Sequence, residues 1–245
     1  MTTYLSLEIR RALRDKRYVL LVIGWPVAAY LLFSTVFASA ADAAEGLPSS
    51  IAIMVAMACF GAIGGVLMAS GPRLALDRQS GWLRQLTLTP LSRRGILSAR
   101  LLSSMALSLP AIALTFAVAA VVRGVHLEWW QWAAMLAVIA VGCLPFAVLG
   151  LIVGALGDGD SAAGLAAALN LVLAALGGLW MPVAILPAPM KTIAHILPSN
   201  HLAQLGWALA RGSVPAASDA LILAAYLAGA ILIATIAARR LAVRG

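Results

Sequence analysis

The residues of this chain whose types could support chemistry are few and scattered. Asp158-Gly159-Asp160 sets two carboxylates two positions apart, a spacing that could begin a metal site in an intramembrane transferase. Divalent cations want several oxygen ligands, and no second acidic cluster complements the pair, so a tight cytoplasmic turn accounts for it better. His126, His195 and His201 fall in predicted outer segments, and His195 and His201, six apart, have no nearby third ligand or carboxylate in the sequence, which predicts loop or surface histidines. Cys59 and Cys143 sit inside apolar runs and read as free core thiols. No G-x-S-x-G nucleophile elbow occurs, and Lys191-Thr192 follows Ala188-Pro189-Met190 instead of a glycine loop, so there is no P-loop. The residues therefore give no catalytic, cofactor-binding or metal site, and any ATP and Mg used by this protein are expected on another subunit.

The elements that would position such residues are set by composition. Of 245 residues, 63% are hydrophobic and 11% charged, with a mean hydropathy of +0.99, whereas a soluble domain carries about 25% charged residues. No soluble core could absorb that apolar surface. The formal charge of +8 marks the cytoplasmic ends of membrane helices, not a nucleic-acid partner. Six apolar stretches, roughly 18–38, 51–71, 96–122, 129–156, 161–180 and 219–238, can each cross a hydrocarbon layer of about 30 Å as a helix, the only spanning form such runs can take. The first ends at Ala38-Ser39-Ala40, which resembles a signal-peptide cleavage site, but its length suits a retained span. Before it, residues 1–17 place Leu5, Ile9 and Leu13 on one stripe with Arg10, Arg11, Arg14, Lys16 and Arg17 around it, an interfacial helix.

Basic residues orient the bundle. With the N-terminus inside, the cytoplasm receives those five, six more between the second and third spans (Arg73, Arg78, Arg84, Arg93, Arg94, Arg100) and Arg239, Arg240 and Arg244. Only Arg123, Lys191 and Arg211 fall outside, so six spans with both termini cytoplasmic satisfy the positive-inside rule. Gly61-x3-Gly65-x3-Ala69 and Gly150-x3-Gly154 allow helix backbones to approach closely. Trp129, Trp130 and Trp132 suit the outer interface. The spans are almost free of interior charge, which disfavours a secondary carrier or channel, and the missing catalytic pairs disfavour an intramembrane enzyme.

Two segments carry a family resemblance. Residues 76–86, Leu-Asp-Arg-Gln-Ser-Gly-Trp-Leu-Arg-Gln-Leu, are followed by Thr89-Pro90-Leu91-Ser92. Gly177-Gly178-Leu179-Trp180-Met181-Pro182 is followed by Leu186-Pro187 and Ile196-Leu197-Pro198-Ser199-Asn200. Both resemble the ABC-2 class of ATP-binding-cassette exporter permeases, with Asp77 for the usual Glu and Gly81-Trp82 for Gly-Thr, and the likeness extends over nearly the whole chain. Trp25-Pro26 in the first span also suits that family.

In such proteins the first segment is a coupling helix that docks on the ATPase. The resemblance thus implies a coupling loop over 73–97 with Asp77, Arg78, Gly81, Trp82, Leu83, Leu86, Thr89 and Pro90 as its site residues. The residues agree: Trp82, Leu83 and Leu86 form a short apolar face, with Arg78 and Arg84 left for acidic partner residues. A helix resting on the membrane surface would look similar. The second segment, 177–213, resembles the family's outer re-entrant helices and makes Gly177, Gly178, Pro182, Pro187 and Pro198 candidate gate residues; a plain outer loop is the alternative.

The expected architecture is all-α integral membrane, one domain over 1–245, with six transmembrane helices, the interfacial helix, the coupling helix and outer re-entrant helices. The expected function is the permease subunit of an exporter in a bacterial-type plasma membrane. Its implied partners are two copies of a separate ABC ATPase, a second permease subunit and the lipid bilayer. Its implied cargo is a hydrophobic drug, antibiotic or lipid-like molecule, which would link it to multidrug or antibiotic resistance, with a polysaccharide as the open alternative.

Overall fold

A computed structural model describes residues 19–37, 46–82, 93–181, 183 and 186–242. The interfacial helix expected over 1–17 lies outside the described residues, as do Leu83, Leu86, Thr89, Pro90 and Pro182. Every regular element among the described residues is helical. A π-helical turn, Val19–Gly24, runs into α1 (Trp25–Val36). Pro26 has no N–H for the Val22 carbonyl, and a widened turn is one way a helix absorbs that loss. There follow α2 (Ser49–Gln79), α3 (Arg93–Arg123), α4 (Trp129–Gly142), α5 (Leu144–Leu156), α6 (Gly159–Leu176), the short α7 (Ala188–Ala194), α8 (Pro198–Ala210) and α9 (Ala217–Ala242).

Five described helical stretches are long and apolar enough to cross a membrane: Ser49–Gln79, Gly95–Arg123, Trp129–Leu156, Gly159–Leu176 and Ala217–Ile236. A shorter apolar helix covers Val22–Val36. These segments fall on the apolar runs read from the sequence and make the chain an all-α, multi-pass membrane protein. Cys143 interrupts the fourth run as a turn between α4 and α5, where Pro145 denies the Val141 carbonyl its usual donor.

The bundle is built around α2, which is buried without a break from Ala52 through Leu67. A helix apolar on every side belongs in the interior. It packs on α1, α3, α5, α6 and α8, and small residues let these neighbours come close. A Cβ on Gly61 would stand 2.9 Å from Pro26 Cγ of α1, and one on Gly154 of α5 would collide with the Gly71 carbonyl oxygen. Buried hydroxyls on α3 satisfy themselves locally: Ser103 donates to the Arg100 carbonyl (2.9 Å) and Thr115 to that of Ala111 (2.8 Å). At the opposite extreme is α9, where Leu223 alone is buried among the described side chains.

At 31 residues, α2 is roughly 46 Å long, more than the hydrocarbon thickness of about 30 Å. Its final turns, Arg73 to Gln79, follow Pro72 and carry the candidate coupling residues Asp77 and Arg78 on a helix whose middle is the buried core.

Candidate functional site

Consider first the end of α2. Ser80 donates its N–H to the Leu76 carbonyl (2.9 Å), and Gly81 adopts φ +72°, a left-handed position that ends the helix and redirects the chain. Trp82 follows at once and is 41% exposed. Its indole is a large, partly open apolar surface just past a helix stop.

The two charged residues before that turn both bond to neighbouring helices, Asp77 half-buried and Arg78 exposed. Asp77 forms an ion pair with Arg100 of α3, a residue only 4% exposed. Burying a guanidinium is costly unless it is paired, so the carboxylate explains how Arg100 is held there and ties α2 to α3. Arg78 Nη1 donates to the Gly154 carbonyl of α5 at 3.1 Å and to that of Ala155. The sequence left Arg78 free for an acidic partner; the structure turns it onto the carbonyl end of α5, where a cation also complements the helix dipole.

Between α5 and α6, Asp158 caps α6 by accepting from the Ser161 N–H at 2.9 Å, while Ser161 Oγ accepts from the Asp158 N–H at 3.0 Å. The Ser161 hydroxyl first, and the Ser161 amide second, hold the Asp158 carboxyl below the ordinary carboxylate range. The Asp-Gly-Asp turn is thus a helix start, and no group of three metal-ligating side chains occurs among the described residues.

The segment from Gly177 to Asn200 is tied into the bundle. Ser199 donates to the Leu173 carbonyl (2.8 Å) and Asn200 to that of Gly177 (3.1 Å), fastening the start of α8 to the end of α6. Gly177 and Gly178 are required here: a Cβ on the first would collide with Ser199 Oγ, and the second has φ +77°. Pro187 and Pro198 act as helix starters, at the N-cap of α7 and the first turn of α8, where a missing N–H costs nothing. The structure thus brings Gly177, Gly178 and Pro198 to one junction.

Helix α8 is buried along most of its length, between α2, α4 and α9. The Trp207 indole donates to the Ala52 carbonyl at 2.9 Å. Gln131 of α4 accepts from the Glu128 N–H (2.9 Å) and donates to the terminal carbonyls of α8, Leu209 (2.9 Å) and Ala210 (3.0 Å). Neither contact has a signal in the sequence beyond a polar or aromatic residue in an apolar run.

His201 departs from the surface position expected of it. It is 8% exposed, with Nδ1 2.7 Å from Asp219 Oδ1 of α9 and Nε2 2.9 Å from the His195 carbonyl oxygen. His126 and His195 are exposed as expected.

A groove of about 350 Å³ opens between the Val19–Gly24 turn, α1, α2 and α6, lined by Trp25, Phe60, Gly64, Met68 and Leu171 among others. Its polar contribution is Asn170, whose Oδ1 is buried without a hydrogen-bond partner and whose Nδ2 would lie 2.6 Å from a Cβ on Gly64. The other large cavities, of about 510 and 430 Å³, flank α9 and are almost wholly apolar.

Residues 2–205 match the sequence model of a family described as ABC-2 type transporter. A protein of Bacillus subtilis (strain 168) named "Putative transport permease YvfS" is 31% identical over 220 residues, covering 90% of this chain and 89% of the relative.

Proposed function

This chain belongs to the ABC-2 type transporter family, and on that premise we propose that it is the transmembrane permease subunit of an ABC exporter, driven by ATP hydrolysed on a separate subunit. The observation that carries this reading is Trp82. An exposed indole stands immediately beyond the Gly81 turn, at the tip of a helix whose other end is the buried centre of the bundle. A motor that grips Trp82, with Leu86 four residues on, would hold the element that touches nearly every other span.

In this reading the permease works as a dimer with two ATPase copies, has six spans with both termini in the cytoplasm, and sits in a bacterial-type plasma membrane. Nucleotide-driven closure of the ATPases moves the coupling segments and opens a path between the two permeases. The segment from Gly177 to Ser213 shapes the outer end of that path; in support, Ser199 and Asn200 at the start of α8 satisfy the Leu173 and Gly177 carbonyls at the end of α6, and Gln131 satisfies the terminal carbonyls of α8. An apolar cargo, a hydrophobic drug, antibiotic or lipid-like molecule, suits the largely apolar groove beside Asn170.

The test is the double change Trp82→Ala and Leu86→Ala. Burial of each large side chain is worth roughly 1.5 to 3 kcal/mol, so the variant should lose co-purification of its ATPase or the coupling of hydrolysis to transport. Unchanged co-purification and unchanged ATPase activity would overturn the reading.

A further inference from the structure

Neighbouring residues at the end of α2 hold different elements. Asp77 holds Arg100 of α3, and Arg78 holds the Gly154 and Ala155 carbonyls of α5. The last carbonyls of a helix have no partner within it. In α5 the Val153 carbonyl is taken by the Gly157 N–H at 3.0 Å, and Arg78 takes the next two.

Between Arg78 and the bundle centre, α2 and α5 touch backbone to backbone. A Cβ on Gly71 would stand 2.9 Å from the Gly150 carbonyl oxygen, and one on Gly154 would collide with the Gly71 carbonyl. The start of α6 meets α2 through a side chain instead, since a Cβ on Gly159 would stand 2.7 Å from Leu76 Cδ2. Faces made of glycine are smooth. They set the distance between two helices, and the side chains that pack across beside them, Ser70 over Gly150 and Ala75 with Val153 and Ala162, are short and resist sliding along the axis only weakly. A guanidinium bonded to two terminal carbonyls supplies what the glycine face lacks, a fixed axial register.

We propose that Arg78 is the positioning residue through which movement of the coupling segment reaches α5 and α6, while Asp77 carries the same movement to α3. The proposal rests on the reading that an ATPase docks at Trp82, and it gives that docking two separate mechanical outputs. Arg78 then belongs to the transmission and not to the surface the ATPase grips.

The experiment uses the complex of full-length chain and ATPase with an environment-sensitive fluorophore at either of two exposed sites, Asp160→Cys on the first turn of α6 or Ser98→Cys on α3. Both native thiols are buried and leave the background silent. Mg-ATP or a non-hydrolysable ATP analogue is then added. In the otherwise native complex both labels should respond. With Arg78→Ala the response at 160 should be lost, the response at 98 kept and the ATPase still co-purified; Arg78→Lys, which can donate to a carbonyl at the same place, should restore part of the response at 160. A full response at 160 in Arg78→Ala overturns the proposal, and so does release of the ATPase by that change, which would place Arg78 on the docking surface. If Arg78→Ala does not fold, the Arg78→Lys complex decides: a response at 160 indistinguishable from native overturns the proposal, and one weakened there alone supports it. Silence of both labels in the native complex would instead defeat the ATP-driven reading, and the proposal with it.

Discussion

Gly154 of α5 lies so close to Gly71 of α2 that a side chain on the first would collide with the carbonyl oxygen of the second. Gly154→Val should therefore force the two helices apart. Overpacking of this kind costs about 1 to 3 kcal/mol, and the backbone carbonyl cannot move aside as a flexible side chain would. The expected outcome is a lowered melting temperature in detergent and reduced yield of folded protein. Gly164→Val on α6, where a Cβ meets nothing within 4 Å, is the control and should melt like the native chain. Equal melting of the two variants would show that the α2–α5 contact tolerates separation.

Trp207 joins α8 to the first turns of α2 through its indole N–H on the Ala52 carbonyl. Trp207→Phe keeps most of the apolar bulk and removes the donor. A net hydrogen bond is worth about 0.5 to 1.5 kcal/mol, so the change should lower stability by that much without loss of expression. Trp207→Ala, which also opens a cavity among buried neighbours, should cost about 3 to 5 kcal/mol. Matching losses in the two variants would mean that packing contributes little at this position.

Charge counting supports a testable topology. Val214, between α8 and α9, is 93% exposed, and the positive-inside rule puts it outside the cell and Ser92, between α2 and α3, inside. An impermeant thiol reagent applied to intact cells should label Val214→Cys and spare Ser92→Cys until the cells are opened. The opposite pattern would invert the bundle.

Much of this architecture could be read from residue patterns, because local composition determines which segments are apolar. The apolar runs fell on the observed helices, and Gly61 and Gly154 marked close helix contacts. What stayed illegible depends on partners distant in sequence. Arg78 looked like a free surface cation because the carbonyls it meets lie 76 and 77 residues on. His201 looked like a loop histidine because its carboxylate partner, Asp219, belongs to the next long helix. Pro187 and Pro198 enter the sequence reading only as candidate gate residues, yet a proline is also suited to the first turn of a helix, and only the neighbouring hydrogen bonds reveal that role. Of the coupling residues, Gly81 and Trp82 are seen as a turn and an exposed anchor, whereas Leu83, Leu86, Thr89 and Pro90 stand on the sequence pattern alone.

The cap on α6 should show in the acid limb of stability. Hydrogen bonds from Ser161 hold the Asp158 carboxyl below its ordinary value, so the folded state prefers the carboxylate more than the unfolded chain does. Its contribution is complete above the ordinary carboxylate pKa of about 3.9. It fades as pH falls below that value and is gone once pH passes below the lowered folded value. Asp158→Ala should give a small drop in melting temperature at neutral pH that shrinks at acid pH. A difference from native that stays constant from neutral to acid pH would show that the carboxylate is not the stabilising form.

The pairing of His201 with Asp219 makes the last prediction. The His195 carbonyl can only accept, so Nε2 must donate to it; Asp219 accepts on the other side, and the ring donates to both at once when both nitrogens carry hydrogen. With their side chains 10% and 17% exposed, the two residues are shielded enough for the hydrogen bond to count. Removing either partner leaves the other poorly solvated, so His201→Ala and Asp219→Ala should each cost about 1.5 to 3 kcal/mol in a denaturant titration of the detergent-solubilised protein. The double variant should cost clearly less than the sum, because the second substitution removes a group already left without its partner. Since α9 is otherwise the least buried of the long helices, the loss should appear first as faster amide exchange at its N-terminal turns, ahead of any change in α2. Additive losses, or exchange that rises evenly across the bundle, would show that the pair does not hold α9 to α8.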